Sequence, residues 1–336
     1  MTNTLLLSSW IKRFLMEYLI SIRNLSFNTQ RSYRDTLCLL LPFMARKVRK
    51  AIDQITVEDV SAERVRLFLL DLEQARHCSI TTRNQRLAAI HSLAQFIGSY
   101  SPEHLQWCGQ IRAIPFKKAA HSMISYLEKP EMDALLRASE GVHPQQKRDH
   151  ALLLFLYNTG ARADEVAQST ISNLELAHAP RRDHSSVVIR GKGNKLRRCP
   201  LWQQTVNEIR PLVEGRDPAE HVFLNRCGRP ITRFGIHTLV ERYAQRGSEQ
   251  VPTLKTKQVS PHTIRHTSAT HLLRAGVDIN TIRAWLGHVS INTTNIYAET
   301  DLEMKAKALA LCEVTRSKTA KHWRSDVGLM AFLKTL

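Results

Sequence analysis

The chain has 336 residues, 43% hydrophobic and 23% charged, which is long enough for two folded domains and too apolar for a disordered protein. Its 48 Lys and Arg against 30 Asp and Glu give a net charge of +18, which predicts a polyanionic partner, above all nucleic acid. An anionic membrane is the rival partner, but no lysine-rich amphipathic face, lipid anchor or membrane-spanning segment accompanies the charge.

The first hundred residues are predicted to form a bundle of four helices. Apolar residues at three-to-four spacing indicate helices from Trp10 to Ile22 and from Ser32 to Phe43. Ser61 stands three residues before Arg64 in the pattern of an N-cap and begins a third helix, and a fourth runs from about Thr81 to Ile97. The segment before Trp10 lacks the basic start and the small-residue cleavage site of a signal peptide.

The next stretch, from Ser101 to Ser125, loses helical periodicity and is predicted to link the bundle to a second domain. Pro130 is expected at the first position of a helix, and the apolar helix from Asp149 to Asn158 is predicted to be central. Two β-rich runs flank a turn at Gly191, which indicates a β-hairpin. Further helices are predicted over 202–213, 233–246, 261–275, 278–286, 291–298 and 301–312.

These elements predict a mainly α fold: an N-terminal helical bundle followed by a mixed α/β domain with a small antiparallel sheet. The expected bounds are 1–114 for the bundle, 115–127 for the linker, 128–312 for the second domain and 313–336 for a basic tail with a short apolar helix. Six widely spaced cysteines without a C-x-x-C pair argue against a zinc module or a disulfide scaffold and predict a cytoplasmic location.

One group of motifs carries the residue types needed to cut a phosphodiester without a metal. That reaction requires neutralisation of the phosphate, removal of the nucleophile's proton and protonation of the leaving oxygen. Arg162 follows Thr159-Gly-Ala and is expected in the first turn of a new helix, where Glu165, three residues on, can hold its guanidinium. Taken alone, this pair fits a surface ion pair equally well.

A second motif lies in the helix predicted over 261–275, where His262 and Arg265 are three residues apart and project to one side. His266 follows His262 by four residues, as in a zinc pair, but a metalloprotease helix would carry glutamate where Thr263 stands. The metal interpretation is therefore the weaker one, and His266 is expected to be a buried structural histidine.

A third motif, Leu286-Gly-His288, is followed nine residues later by Tyr297 on a short predicted helix. A single tyrosine on a helix is usually part of a core. The other motifs make Tyr297 a candidate nucleophile.

Taken together, these motifs resemble the tyrosine recombinase (phage integrase) family, and within it the Xer-like site-specific recombinases, in residue identity, order and spacing. The matching segments are Thr159-Gly-Ala-Arg162, Gly191-Lys192-Gly-Asn-Lys, His262-x-x-Arg265-His266, Leu286-Gly-His288 and Tyr297. The likeness spans about residues 10–312 and identifies the bundle with the family's SAM-like core-binding domain. The chain departs from the family pattern at Ala161, where leucine is common, and at Ala163-Asp164, where an apolar-Ser pair is usual.

The resemblance implies a role for each charged residue. Tyr297 would attack the scissile phosphate and form a 3′-phosphotyrosyl link. Arg162 and Arg265 would clamp the phosphate, and Lys192 would protonate the leaving 5′ oxygen.

The remaining positions would assist this chemistry: His262 would help to remove the tyrosine proton, His288 would hydrogen-bond the phosphate, and Glu165 would support Arg162. No metal and no cofactor are expected. The implied partners are double-stranded recombination sites, with four protomers acting on two sites, with or without other recombinases, and with the helix over 301–312 docking on a neighbour.

The resemblance favours a recombinase of a mobile element or prophage. A type IB topoisomerase, which uses a similar set of groups without a defined site, is one alternative. A DNA-binding relative that has lost catalysis is the other, although binding alone does not require this particular set of residues.

Overall fold

A computed structural model describes residues 6–119, 125–176 and 185–287 of the chain, with only the backbone of Lys192. The chain forms two compact units, residues 1–122 and 123–336, and each has its own hydrophobic core. The finer domain bounds given above stay predictions. The helices expected over 291–298 and 301–312, and the tail over 313–336, lie outside the described residues.

The first unit is a helical bundle. Its elements are α1 (Leu7–Arg13), which continues as a π-helix over Phe14–Ile22, α2 (Phe27–Val48), α3 (Ala62–Gln74), α4 (Ile80–Tyr100) and α5 (Leu105–Arg112). The hydroxyls of Ser26, Ser61 and Ser79 each accept a hydrogen bond from the amide three residues on, so each caps the helix that follows. The capping role predicted for Ser61 is confirmed.

The linker predicted from Ser101 to Ser125 is wrong over its first half, because α5 lies within it. Cys108 and Ile111 of α5 are buried in the bundle core. Helix α5 packs closely on α4 at Gly98, since a Cβ built there would lie 2.8 Å from the Cβ of Cys108. The bundle therefore has a fifth helix, which is short and carries only a weak apolar pattern.

The second unit is built around a buried helix. Its helices within the described residues are α6 (Lys129–Arg137), α7 (Pro144–Thr159), α8 (Ala163–Ala167), α9 (Gln203–Val213), α10 (Arg233–Gly247), α11 (Pro261–Arg274) and α12 (Ile279–Leu286). Every residue of α7 from Asp149 to Thr159 is buried, which confirms the prediction that this helix is central. Pro130 occupies the second position of α6 and not the first, because the helix begins at Lys129.

The sheet is antiparallel and has three strands in the order β1 (Leu174–Glu175), β2 (Ser186–Arg190) and β3 (Leu196–Pro200). The predicted hairpin is confirmed as β2 and β3, with Ile189 paired to Arg197. Strand β1 was not predicted from the sequence. It has only two residues and pairs with the edge of β2 opposite to β3. In β3, Arg197 is far less exposed than its neighbours Leu196 and Arg198.

The described residues thus confirm a mainly helical protein with a small antiparallel sheet. Across those same residues, no helix combines the length and the apolar character needed to cross a bilayer.

Candidate active site

The site begins where α7 ends. Gly160 closes this helix in the left-handed conformation with φ of +59°, which glycine adopts without a steric penalty. Arg162 is the N-cap residue of α8, in extended conformation, and does not lie in the first helical turn as the sequence predicted. Because Arg162 keeps an extended backbone with ψ of 150°, α8 begins one position later, at Ala163.

The predicted support of Arg162 by Glu165 is present as two hydrogen bonds. The Arg162 guanidinium donates to Glu165 Oε1 at 2.7 Å, and the Arg162 backbone amide donates to Glu165 Oε2 at 2.9 Å. The Arg162 side chain remains 34% exposed, whereas that of Glu165 is 5% exposed. One carboxylate thus fixes both the backbone and the side chain of Arg162 while leaving the guanidinium accessible.

A second arginine that the sequence did not predict lies on the other side of Glu165. Arg197 of β3 donates from Nη2 to Glu165 Oε2 at 2.6 Å. Burial raises the pKa of the Glu165 carboxyl, but hydrogen bonds and charge from Arg197 and Arg162 outweigh burial and lower this pKa below its ordinary value. Glu165 therefore carries a full negative charge at neutral pH.

Helix α11 brings the next pair of candidates. Its first turn is fixed by Ser260, whose hydroxyl accepts from the amide of Thr263 at 3.3 Å. Arg265 is buried and donates to the carbonyl oxygen of Gly160 at 2.6 Å and to that of Leu286 at 2.7 Å. Arg265 thus joins α11 to the ends of α7 and α12 and lies beside the segment that carries Arg162.

The first two of the three histidines of α11, His262 and His266, differ in exposure. His262 is exposed, yet partial desolvation and then the positive charges of Arg265 and Arg162 lower the pKa of its imidazole. Burial, and then the charges of His262 and Arg265, lower the pKa of His266 to about 4. Both rings are therefore neutral near neutral pH, and the accessible one, His262, can accept a proton.

The β2–β3 turn places Lys192 at its tip. Gly193 and Asn194 follow with φ of +74° and +62°, and the amide of Gly191 donates to the carbonyl oxygen of Lys195 at 2.8 Å to close the turn. The direction of the Lys192 side chain is outside what the structure describes.

The remaining two candidates, His288 and Tyr297, lie outside the described residues. Helix α12 ends at Leu286 and is capped by Gly287, which precedes His288 in the sequence and has φ of +67°. The structure therefore brings together Arg162, Glu165 and Arg265, with His262 on the same helix as Arg265. Within the described segments, no group of three or more His, Cys, Asp or Glu side chains is arranged to hold a metal ion.

Two family models match the chain. The model described as the phage integrase family covers residues 125–304, a range that includes every candidate from Arg162 to Tyr297. The chain belongs to the phage integrase family. A second model, the N-terminal SAM-like domain of phage integrases, matches residues 11–99 of the helical bundle. The family resemblance and the fold class predicted from the sequence are both confirmed.

Relatives agree with this membership over most of their length. A Sinorhizobium fredii protein that carries the name integrase/recombinase y4rC is 34% identical over the full length of both chains. The tyrosine recombinase XerD of Chlorobaculum tepidum is 31% identical over 85% of this chain and 90% of its own. As a family member, the protein is a tyrosine recombinase, an enzyme that cleaves and rejoins DNA.

Solved structures share the fold at lower identity. The Tn1549 transposon integrase in complex with a circular intermediate DNA gives a TM-score of 0.66 at 16% identity, over 89% of this chain and 98% of that one. The XerH site-specific recombinase bound to its difH substrate gives a TM-score of 0.62 at 20% identity, over 87% of this chain and 81% of that one.

Proposed function

We propose that the protein is a site-specific DNA recombinase that cuts each strand with Tyr297 and stays joined to the DNA through a 3′-phosphotyrosyl bond. The observation that carries this proposal is the junction of α7, α11 and α12, where Arg265 holds the backbone next to Arg162. Two guanidinium groups at one junction suit a phosphodiester, because each can donate two hydrogen bonds to phosphate oxygens.

In the cleavage step, the Tyr297 phenolic oxygen forms a bond to phosphorus as the bond to the 5′ oxygen breaks. His262 takes the phenolic proton, a role that its lowered pKa favours because the ring is neutral at neutral pH. Lys192 gives a proton to the leaving 5′ oxygen, and His288 hydrogen-bonds the phosphate. Arg162 and Arg265 stabilise the negative charge on the five-coordinate phosphate.

Rejoining follows the same path in reverse. A 5′-hydroxyl attacks the phosphotyrosine, the bond to Tyr297 breaks, and the phenol regains its proton. Since one phosphoester replaces another, no nucleotide hydrolysis is required. When the attacking hydroxyl belongs to a second DNA duplex, strands are exchanged.

We infer an assembly of four protomers on two DNA sites, with the helix predicted over 301–312 of each protomer docking on a neighbour. Such an assembly joins two duplexes in one complex, which strand exchange requires. The free thiols of Cys38, Cys78, Cys108, Cys199 and Cys227 fit the cytoplasm, where DNA is also present. We infer an origin in a mobile element or prophage, which the resemblance of the sequence motifs favours.

The test is covalent trapping on nicked duplexes taken from the DNA that flanks the gene. Tyr297→Phe is expected to bind these duplexes like the natural chain and to form no covalent complex, because only the attacking oxygen is removed. Tyr100→Phe, at an exposed position of the bundle, is the matched control and should react normally. Mapping of the DNA-linked peptide to a serine or to another tyrosine would overturn the assignment.

Two further measurements address the alternatives. Relaxation of a supercoiled plasmid that lacks any flanking sequence would indicate a topoisomerase and not a site-specific recombinase. Cleavage should persist in a chelator, and an absolute requirement for a divalent ion would contradict the proposed chemistry.

A further inference from the structure

Arg197 has no role in the chemistry described so far, yet it lies against the neighbours of three proposed site residues. It contacts Glu165, which holds Arg162, and it lies close to Gly191 and Gly287, which directly precede Lys192 and His288. We propose that Arg197 is a positioning residue that sets the three segments bearing Arg162, Lys192 and His288 relative to one another. This inference rests on the proposed recombinase function.

The contact with Glu165 is short and shielded from solvent. The side chains of Arg197 and Glu165 are 8% and 5% exposed, and Nη2 lies 2.6 Å from Oε2. The other oxygen of Glu165 accepts from the guanidinium of Arg162 at 2.7 Å. Any shift of Arg197 therefore moves the carboxylate that orients Arg162.

The contacts with the two glycines are tight enough that a Cβ at either position would require Arg197 to shift by a few tenths of an ångström. A Cβ built on Gly191 would lie 3.3 Å from Arg197 Nη1 and 3.3 Å from Glu165 Oε1. A Cβ built on Gly287 would lie 3.2 Å from Arg197 Cδ and 3.3 Å from Nη1. The planar guanidinium thus fits between the base of the hairpin turn and the C-terminal cap of α12.

Folding stability alone does not explain an arginine at this position. The Nε atom of Arg197 is buried and donates no hydrogen bond within the described residues, so its loss of hydration is not offset there. A buried ion pair can often be replaced by apolar side chains without loss of stability. The presence of the Arg197 charge, with one N–H left without a partner among the described residues, is better explained by the way the guanidinium positions the segments around it.

Arg198, the next residue, provides a matched control. It is 62% exposed and pairs only with the exposed Glu175 among the described residues. Arg197→Met and Arg198→Met remove the same charge from adjacent positions of one strand. Arg197→Lys keeps the charge but offers one compact donor in place of the planar fork.

The experiment measures single-turnover formation of the covalent complex at saturating protein on nicked duplex DNA, together with DNA affinity and the thermal midpoint. We expect Arg197→Met to slow cleavage by about 10–100-fold, by analogy with the loss that follows removal of a residue orienting a metal ligand. Arg197→Lys should recover part of this rate, whereas Arg198→Met should cleave at the natural rate. The two methionine variants should bind DNA with equal affinity.

The inference fails if Arg197→Met cleaves as fast as Arg198→Met, or if weaker DNA binding accounts for the whole loss. Should Arg197→Met not fold, Arg197→Lys decides, because a folded lysine variant with the natural rate overturns the inference. Failure of the recombinase proposal would look different, since the natural chain itself would then form no covalent link through Tyr297.

Discussion

Glu165 is a single buried carboxylate shared by two arginines. Removing its charge with Glu165→Gln leaves Arg197 buried without a counter-charge, which we expect to lower the free energy of unfolding by about 3 kcal/mol. Urea titration measures this loss. Glu175→Gln, which breaks the exposed pair with Arg198 on the same sheet, should cost less than about 1 kcal/mol. Equal losses for the two variants would contradict the buried network.

The histidines of α11 predict a dependence of stability on pH. The pKa of His266 is lowered to about 4 in the folded chain, while its pKa in the unfolded chain is about 6.5. The unfolded state therefore binds more protons in this interval, and the free energy of unfolding falls as the pH drops from about 6.5 toward about 4. His262 acts in the same direction, because its pKa is also lowered.

Urea unfolding measured at several pH values across this interval tests the prediction. His266→Asn should flatten the fall if it folds. The control is His77→Asn, since His77 is exposed and asparagine tolerates its φ of +49°. A curve for His266→Asn that follows the natural chain throughout would exclude His266 as the source.

The sequence predicted the residues of this site unevenly. The pairing of Arg162 with Glu165 could be read from their spacing, because residues three apart share one face at a helix start. Arg197 could not be found in this way. Of the neighbours Leu196 and Arg197 in β3, the apolar Leu196 would be expected to face the core, yet Leu196 is 64% exposed. The alternation of a strand gives two possible faces, and only the partners on β2 and α8 decide which one is buried.

At the scale of elements, the turn between α7 and α8 depends on Gly160. Alanine there must adopt a positive φ, and its Cβ would lie 2.5 Å from Cδ2 of Leu286. It would also disturb the carbonyl that accepts from Arg265. The left-handed conformation alone costs a residue with a Cβ about 1–2 kcal/mol. We expect Gly160→Ala to lower the free energy of unfolding by more than this amount.

Gly215→Ala separates the two effects. Gly215 has φ of +73°, and a Cβ there would meet nothing within 4 Å, so only the conformational cost applies. The difference between the two variants in urea unfolding measures the contact with Leu286. If both variants lose the same stability, close packing at Gly160 is not required.

Helix starts could be predicted because their signals are local, as the cap at Ser61 illustrates. The elements that were missed depend on distant partners. Strand β1 exists only because Leu174 and Glu175 pair with β2. Helix α5 is held by burial of Cys108 and Ile111 in the bundle and has little apolar periodicity of its own.

At the scale of the whole molecule, the net charge of +18 predicts that DNA binding depends strongly on salt. If the protein neutralises about six or more phosphates, raising the salt from about 50 to 200 mM should weaken binding by about 10³-fold or more. Fluorescence anisotropy with a labelled duplex measures this. A duplex of unrelated sequence should show a similar slope, because phosphates are common to both, and a flat response would contradict electrostatic binding.

Arg265 ties three helices together through the carbonyl oxygens of Gly160 and Leu286. A free arginine side chain has about 2 kcal/mol of rotamer entropy, and these bonds remove much of that freedom when the protein folds. A phosphate that binds this guanidinium would therefore contact a side chain that is already immobilised. The entropic cost of ordering the arginine then falls on folding and not on DNA binding.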